Sequence, residues 1–290
     1  ERRGGRRARA GAAAGARADR LNAQGQAILS IEWSHVAAGL GVGFVVGMTG
    51  VGGGALMTPI LVLLLGVAPT VAVGTDLWFA AITKLVGGAL HQRRGVVDWQ
   101  VLRRLCAGSL PTSSALLAWM HLSAVTPMRN EFVLHLLGAV LLLTAAAMLL
   151  EGRVHAHGRA LRLHDSTRFK RWQPALTVLA GAVLGALVTL TSVGAGALGA
   201  VMLLHLYPLR MTPTVLVATD IVHAVPLTLL AGGGHALLGH VELALLGPLL
   251  LGSIPGVLLG AAAAHRAPER LLRPGIALML LMVGGRLVSA

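Results

Sequence analysis

The chain has little charge, few aromatic residues and almost no cysteine. Charged residues make up 12% of its 290 positions and aromatics 3%, where an ordinary soluble domain is about 25% charged. So little charge excludes a soluble fold, because 290 residues offer no interior large enough to bury so many apolar helices. The single cysteine, Cys106, excludes an internal disulfide and carries no redox signal. Lysine is nearly missing, with 22 of the 24 basic residues being arginine. Acidic residues number eleven, which leaves a formal charge of +13. That excess does not form a nucleic-acid footprint. It sits at segment ends, in the 1–20 tail and around 150–172, as in the cytoplasmic loops of membrane proteins. Residues 1–28 are rich in Arg, Ala and Gly and show no signal-peptide pattern.

What the chain does have is apolar length. Hydrophobic residues are 55% of it and the mean hydropathy is +0.76. Apolar stretches of 17 to 24 residues recur, enough to cross a hydrocarbon core of about 30 Å. The expected fold is an all-α polytopic membrane protein built from two duplicated halves. Each half holds four to five hydrophobic helices with a Gly-rich break. The expected organisation is a disordered basic tail at 1–28, a first transmembrane repeat at 29–150, a basic cytoplasmic linker at 151–173 and a second repeat at 174–290.

The duplication is read from register. Thr49–Leu56 and Thr191–Leu198 agree at six of eight positions, at an offset of 142. Shifting Val73–Pro111 by 144 lands on Val217–Pro255 with 14 of 39 identities. The aligned pairs include Thr75-Asp76 with Thr219-Asp220, His91 with His235 and Asp98 with Glu242. Apolar composition produces chance Leu and Val matches, not matched Asp, His and Pro in register. Two arrangements of the halves are open. Five full crossings per half force an inverted repeat. If each break is instead the tip of a hairpin, an even count follows, and the tail, the Arg93/Arg94 link and the 151–173 linker share one side. The positive-inside rule favours the second.

The breaks are the candidate substrate site, at Gly52, Gly53 and Gly54 in one half and Gly194, Ala195 and Gly196 in the other. A Gly-rich turn opening a helix bares N–H groups that hold oxyanions, and paired breaks mark transport sites. No Gly-Lys-Ser/Thr follows, which excludes a phosphate loop. The bland alternative is close helix packing by small residues. Thr75 and Thr219 are further substrate-binding candidates. Asp76 and Asp220 are the only carboxylates embedded near apolar runs, where an acidic group marks an ion or proton path. The Thr-Asp pairs are also expected to N-cap the helices that follow. Lys84 is the only lysine inside an apolar run, either charge-pairing or snorkelling. His223, one helical turn after Asp220, is either a proton relay or a packed neutral histidine. No catalytic residue, metal site or cofactor is expected. His155 and His157 lack supporting Cys or acidic ligands, and the embedded carboxylates are too few for a hard-cation path.

These residues resemble the TauE/SafE sulfite exporter family. The paired loops, Val73-Gly74-Thr75-Asp76, the link from His91 to Asp98 with its echo from His235 to Glu242, and Gly-Ser-Leu/Ile-Pro at 108–111 and 252–255 carry the resemblance over about 33–288. It implies a duplicated helical permease of the inner membrane. Such a permease moves sulfite, thiosulfate or organosulfonates with proton coupling and binds substrate at the two loops. Ala195 opposite Gly53 departs from a bare-backbone cradle. The implied partners are a small anion and membrane lipid, with no nucleic acid and homo-oligomerisation open. Two rivals stand beside it. One is a non-transporting membrane assembly or anchor protein. The other is an intramembrane hydrolase using Ser192 with His223 or His205.

Overall fold

The computed structural model describes residues 33–49, 54–93, 96–122, 130–164, 166–194, 196–263 and 269–289. Among these residues the chain forms ten helices: α1 (Trp33–Thr49), α2 (Gly54–Leu63), α3 (Pro69–Arg93), α4 (Trp99–Leu122), α5 (Asn130–His164), α6 (Ser166–Thr191), α7 (Ala197–Leu206), α8 (Pro213–Leu237), α9 (Leu243–Ala263) and α10 (Glu269–Val288). The second half repeats the first, helix for helix. The expected 1–28 tail lies outside the described residues. Four stretches are long and apolar enough to cross a bilayer: 130–160, 169–191, 213–237 and 243–263. With the shorter apolar helices beside them, the protein is a polytopic membrane protein.

Helix starts follow local chemistry. Pro69 opens α3 and Pro213 opens α8, where the fixed φ and missing N–H of proline cost nothing. Thr212 caps α8 by accepting from the Val215 N–H at 3.4 Å. These starts correct the N-cap expectation for Thr75-Asp76 and Thr219-Asp220. Both pairs sit well inside their helices, because proline starts each helix earlier. The expected 151–173 linker is largely helical. At 1.5 Å per residue the 35-residue α5 is about 52 Å long, more than the apolar layer needs. Its last turns, with the exposed Arg153 and Arg159, therefore extend beyond that layer.

Glycine decides which helices touch. Gly39, Gly43 and Gly47 of α1 lie directly against the backbone of Leu249, Ser253 and Val257 in α9. Gly252, Gly256 and Gly260 of α9 return the contact against Val36, Leu40 and Phe44. A β-carbon at any of them would collide with main chain. The pseudo-equivalent pair α4–α6 is built the same way, with Gly108 against Val178, Gly181 against Leu105 and Gly185 against Ser109. Both pairs run parallel, and each joins the first helix of one half to the fourth of the other. Such backbone approach lets helices associate in lipid, where burial of apolar side chains supplies little net drive.

Two further cross-half pairs, each between equivalent helices, run antiparallel. In α3–α8, Gly74 meets His235, Gly232 meets Leu77, and the Trp78 Nε1–H donates to Gly232 O at 2.9 Å. In α5–α10, Gly138 meets Val288 while Gly284 meets Leu142. Because α3 and α8 are equivalent helices, their antiparallel contact puts the pseudo-twofold axis across the helices. The repeat is inverted. This overturns the parallel arrangement that the basic segments favoured. The hairpin itself holds. Gly74 near the start of α3 meets His240, just before α9, and α9 runs parallel to α1. So α1 and α3 begin at the same end, and α1 and α2 together turn back. A hairpin contributes no crossing and three spans follow, so the count per half is odd. The ends of α3 and α5 therefore lie opposite the start of α1.

That geometry is checked with single cysteines in a Cys106→Ser background. Arg159→Cys and Ser289→Cys, both at exposed positions, should react with an impermeant thiol reagent from opposite faces of sealed vesicles. Labelling of both from one face would overturn the inverted arrangement.

Candidate functional site

Asp76 of α3 and Asp220 of α8 each lie seven residues past a helix-opening proline, about 10 Å in from opposite ends of the protein. Lys84, two turns beyond Asp76, lies between them in depth. All three are buried, and Lys84 interacts electrostatically with Asp220 and with Asp76. His223, one turn past Asp220, also faces Lys84. The antiparallel α3–α8 contact thus gathers four of the expected residues into one polar cluster.

The half-helices bring the rest. From α2, the Thr58 hydroxyl donates to Asp76 Oδ2 at 2.5 Å. From the second break, Ser192 faces Asp76, and the Gly196 N–H is directed at Asp220. Gly199, in the first turn of α7, packs so tightly on Asp220 Oδ1 that a methyl would collide with it. His223 Nε2 is hydrogen-bonded to Ser109 Oγ of α4 at 2.9 Å. The backbone of the second break requires its glycines: φ is +128° at Gly194 and +139° at Gly196, and Ser192 is held at +60°. Those angles disfavour any side chain at 194 and 196. No side chain caps α7 at Gly196.

The expected site residues fall into three groups. Gly196, Asp76, Asp220, Lys84 and His223 converge as described, and Gly194 lies two residues before Gly196 against Leu184, Leu187 and Val188. Thr75 and Thr219 turn outward from this cluster: Thr75 Oγ1 accepts from the Glu242 N–H and Thr219 Oγ1 from the Asp98 N–H, each at 3.0 Å. They tie the link ahead of α9 to α3 and the link ahead of α4 to α8, a symmetric pair of tethers. Gly52, Gly53 and Ala195 lie outside the described residues, and Gly54 is the first residue of α2. Reading the sequence overlooked Thr58. Its signal was a hydroxyl in the otherwise apolar Leu56–Leu65 run. Ser109 was visible only as part of a Gly-Ser-Leu-Pro element. The hydroxyl beside His223 is that of Ser109, while Ser192 faces Asp76, so the expected Ser192–His223 pairing is not formed.

Five buried polar atoms have no hydrogen-bond partner among the described residues: Asp76 Oδ1, Asp220 Oδ1, Ser192 Oγ, His223 Nδ1 and Ser253 Oγ. Orphaned polar atoms inside a protein cost about 1–3 kcal/mol each, so the gathering of the four on Asp76, Asp220, Ser192 and His223 marks a site built for something other than packing. Ser253 shows why the duplication matters. It is the repeat equivalent of Ser109, but the residue equivalent to His223 is Phe79, which offers no partner.

Comparison with known proteins points the same way. The model of the family described as "Sulfite exporter TauE/SafE" matches residues 35–287. The chain is 40% identical over 263 residues to "Probable membrane transporter protein YjnA" of Bacillus subtilis (strain 168), covering 88% of this chain and 99% of that one. It is 25% identical over 243 residues to "Probable membrane transporter protein YdhB" of the same organism, covering 84% and 94%. No solved structure matches.

The contact on Asp220 sets an expectation for stability. Gly199→Ala should lower the thermal midpoint in detergent, since overpacking costs about 1–3 kcal/mol. Gly233→Ala, with open space around it, should leave the midpoint unchanged or raise it. Equal midpoints for the two variants would contradict the close packing of α7 on Asp220.

Proposed function

Because the chain belongs to the sulfite exporter TauE/SafE family, we propose that it is a secondary transporter of small sulfur-containing oxyanions such as sulfite, thiosulfate or organosulfonates. It would act in the cell inner membrane and couple anion movement to protons. The observation that carries this reading is the convergence at one buried place of a Gly-opened half-helix start, two carboxylates and a lysine. Backbone N–H groups at such a start favour a small oxyanion at little steric cost. Lys84 supplies positive charge, and carboxylates at membrane depth supply proton-accepting groups. Gly52, Gly53, Gly54, Gly194, Ala195 and Gly196 are the proposed anion-contacting backbone. Asp76, Asp220, Lys84 and His223 are the proposed coupling and charge-balancing set.

The inverted repeat supports alternating access. Two pseudo-equivalent hairpins enter from opposite ends, so exchanging their conformations opens the same central site to either side.

Proteoliposomes containing the full chain test this. Uptake of radiolabelled sulfite or thiosulfate should exceed that of protein-free vesicles and rise with an imposed pH gradient. Flux that ignores the gradient would remove proton coupling. Absence of flux for sulfite, thiosulfate and a small organosulfonate would overturn the sulfur-oxyanion assignment.

A further inference from the structure

The two embedded carboxylates are equivalent in the repeat, but their surroundings are not. Thr58, which bonds Asp76, has Ala200 as its repeat equivalent. Ser192, which faces Asp76, has Gly50. Lys84 has Thr228, and His223 has Phe79. These four departures from symmetry fall on this cluster, and together they sort the two sites by chemistry.

Asp76 is met by hydroxyls from two elements, Thr58 on α2 and Ser192 at the second break. A hydroxyl both donates and accepts. It can serve a carboxylate, which only accepts, and a carboxylic acid, which must also donate. Thr58 already donates to Oδ2, while Asp76 Oδ1 and the Ser192 Oγ that faces this carboxylate are both left without a partner among the described residues. A proton added at Oδ1 would give an O–H that donates to Ser192 Oγ. On its release, Ser192 can rotate to donate instead. Both protonation states are provided for.

Asp220 has a different environment. The Gly196 backbone N–H is directed at it, and the Lys84 ammonium acts on it more strongly than on Asp76; both groups only donate. On the Gly199 side Oδ1 is seated too closely to admit even a methyl group. Such surroundings suit an ionised carboxylate in either step of a cycle. Among the described residues, the titratable and charged groups facing the cluster are Asp76, Asp220, Lys84 and His223.

We infer that the two equivalent carboxylates have different tasks: Asp220 is the standing counter-ion of Lys84, and Asp76 is the single carboxyl that takes up and releases the coupling proton. This rests on the transport reading above and narrows it to one proton-carrying carboxylate per protomer, with Ser192 and Thr58 as its positioning residues. No net charge is then left on the Lys84–Asp220 pair. The proton on Asp76 offsets one negative charge brought by the anion.

A double-variant comparison tests the division. Asp220→Asn and Lys84→Met should each lower the thermal midpoint, because each strands a buried charge. The Asp220→Asn/Lys84→Met double variant should recover most of that loss, whereas Asp76→Asn/Lys84→Met should recover none. Additive losses in the first double variant, or recovery in the second, would overturn the pairing. If neither single variant can be purified, a monodisperse Asp220→Asn/Lys84→Met protein supports the pair, and failure of that protein as well overturns it. In proteoliposomes, Asp76→Asn should lose the stimulation of sulfite or thiosulfate uptake by a pH gradient, and Asp76→Glu, which keeps a carboxyl able to carry the proton, should restore part of it. Stimulation that persists in Asp76→Asn, or none in either variant, would overturn the assignment of the proton to Asp76. The midpoints need no substrate, so a wild-type chain that moves no sulfur anion would refute the transport reading while the charge pair is still tested.

Discussion

A helix broken inside an apolar layer leaves backbone N–H and C=O groups with nothing to bond, at several kcal/mol each in a medium without water. The rest of the structure depends on where that cost is met. Both broken helices come from equivalent hairpins, and the inverted repeat sends them inward from opposite ends. At the second break the Gly196 N–H is directed at Asp220, and Thr191 folds back to accept from the Val193 N–H at 3.2 Å. The break is therefore met by a carboxylate and a hydroxyl. Holding these groups at depth in turn requires helices that approach to backbone contact. The glycine rows of α1 against α9 and α4 against α6 meet that requirement.

Duplication sets the frame and the departures from it supply the chemistry. The tethers at Thr75 and Thr219 are true to symmetry and fix the same joint in each half. The hydroxyls on Asp76, the lysine and the histidine are not. A further departure lies at the end where α5 finishes. There Arg210, in the α7–α8 connection, makes an ion pair with Asp98 at 2.5 Å and bonds Gln100 at 2.8 Å. The neighbouring Tyr207 hydroxyl is bonded by Arg104 at 3.0 Å and by Thr177 at 2.8 Å. His155 of the α5 extension reaches Pro208 O at 3.1 Å. The connection after α7 is thus clasped to α4, α5 and α6 by side chains.

Much of this was legible in the sequence because lipid imposes simple rules. Helix number and span follow from run length and the breaks from glycine placement, while the equivalence of Asp76 and Asp220 follows from register. The direction of the halves was misread. Arginine counts weigh charge along the chain, but a hairpin followed by three spans fixes an odd number of crossings whatever the charges do. The N-cap reading of Thr75-Asp76 failed because Pro69 starts the helix two turns earlier, and an apolar first turn hides that start from hydropathy. Thr58 went unread because a single hydroxyl in an apolar run usually bonds its own backbone, and only the fold brings it to Asp76. The row Gly39, Gly43, Gly47 was visible at four-residue spacing, as was Gly252, Gly256, Gly260. Which row meets which is set by three-dimensional pairing alone.

The proposed anion position is beside Lys84, at the start of α7. The most direct measurement is selenium anomalous scattering from crystals of the full chain soaked in selenite, a scattering analogue of sulfite. The expected result is one strong peak per protomer within hydrogen-bonding reach of the α7 start and lined by Lys84, with no such peak in Gly196→Leu crystals. A peak confined to the surface arginines, or one that persists unchanged in Gly196→Leu, would contradict a central anion site built from broken helices.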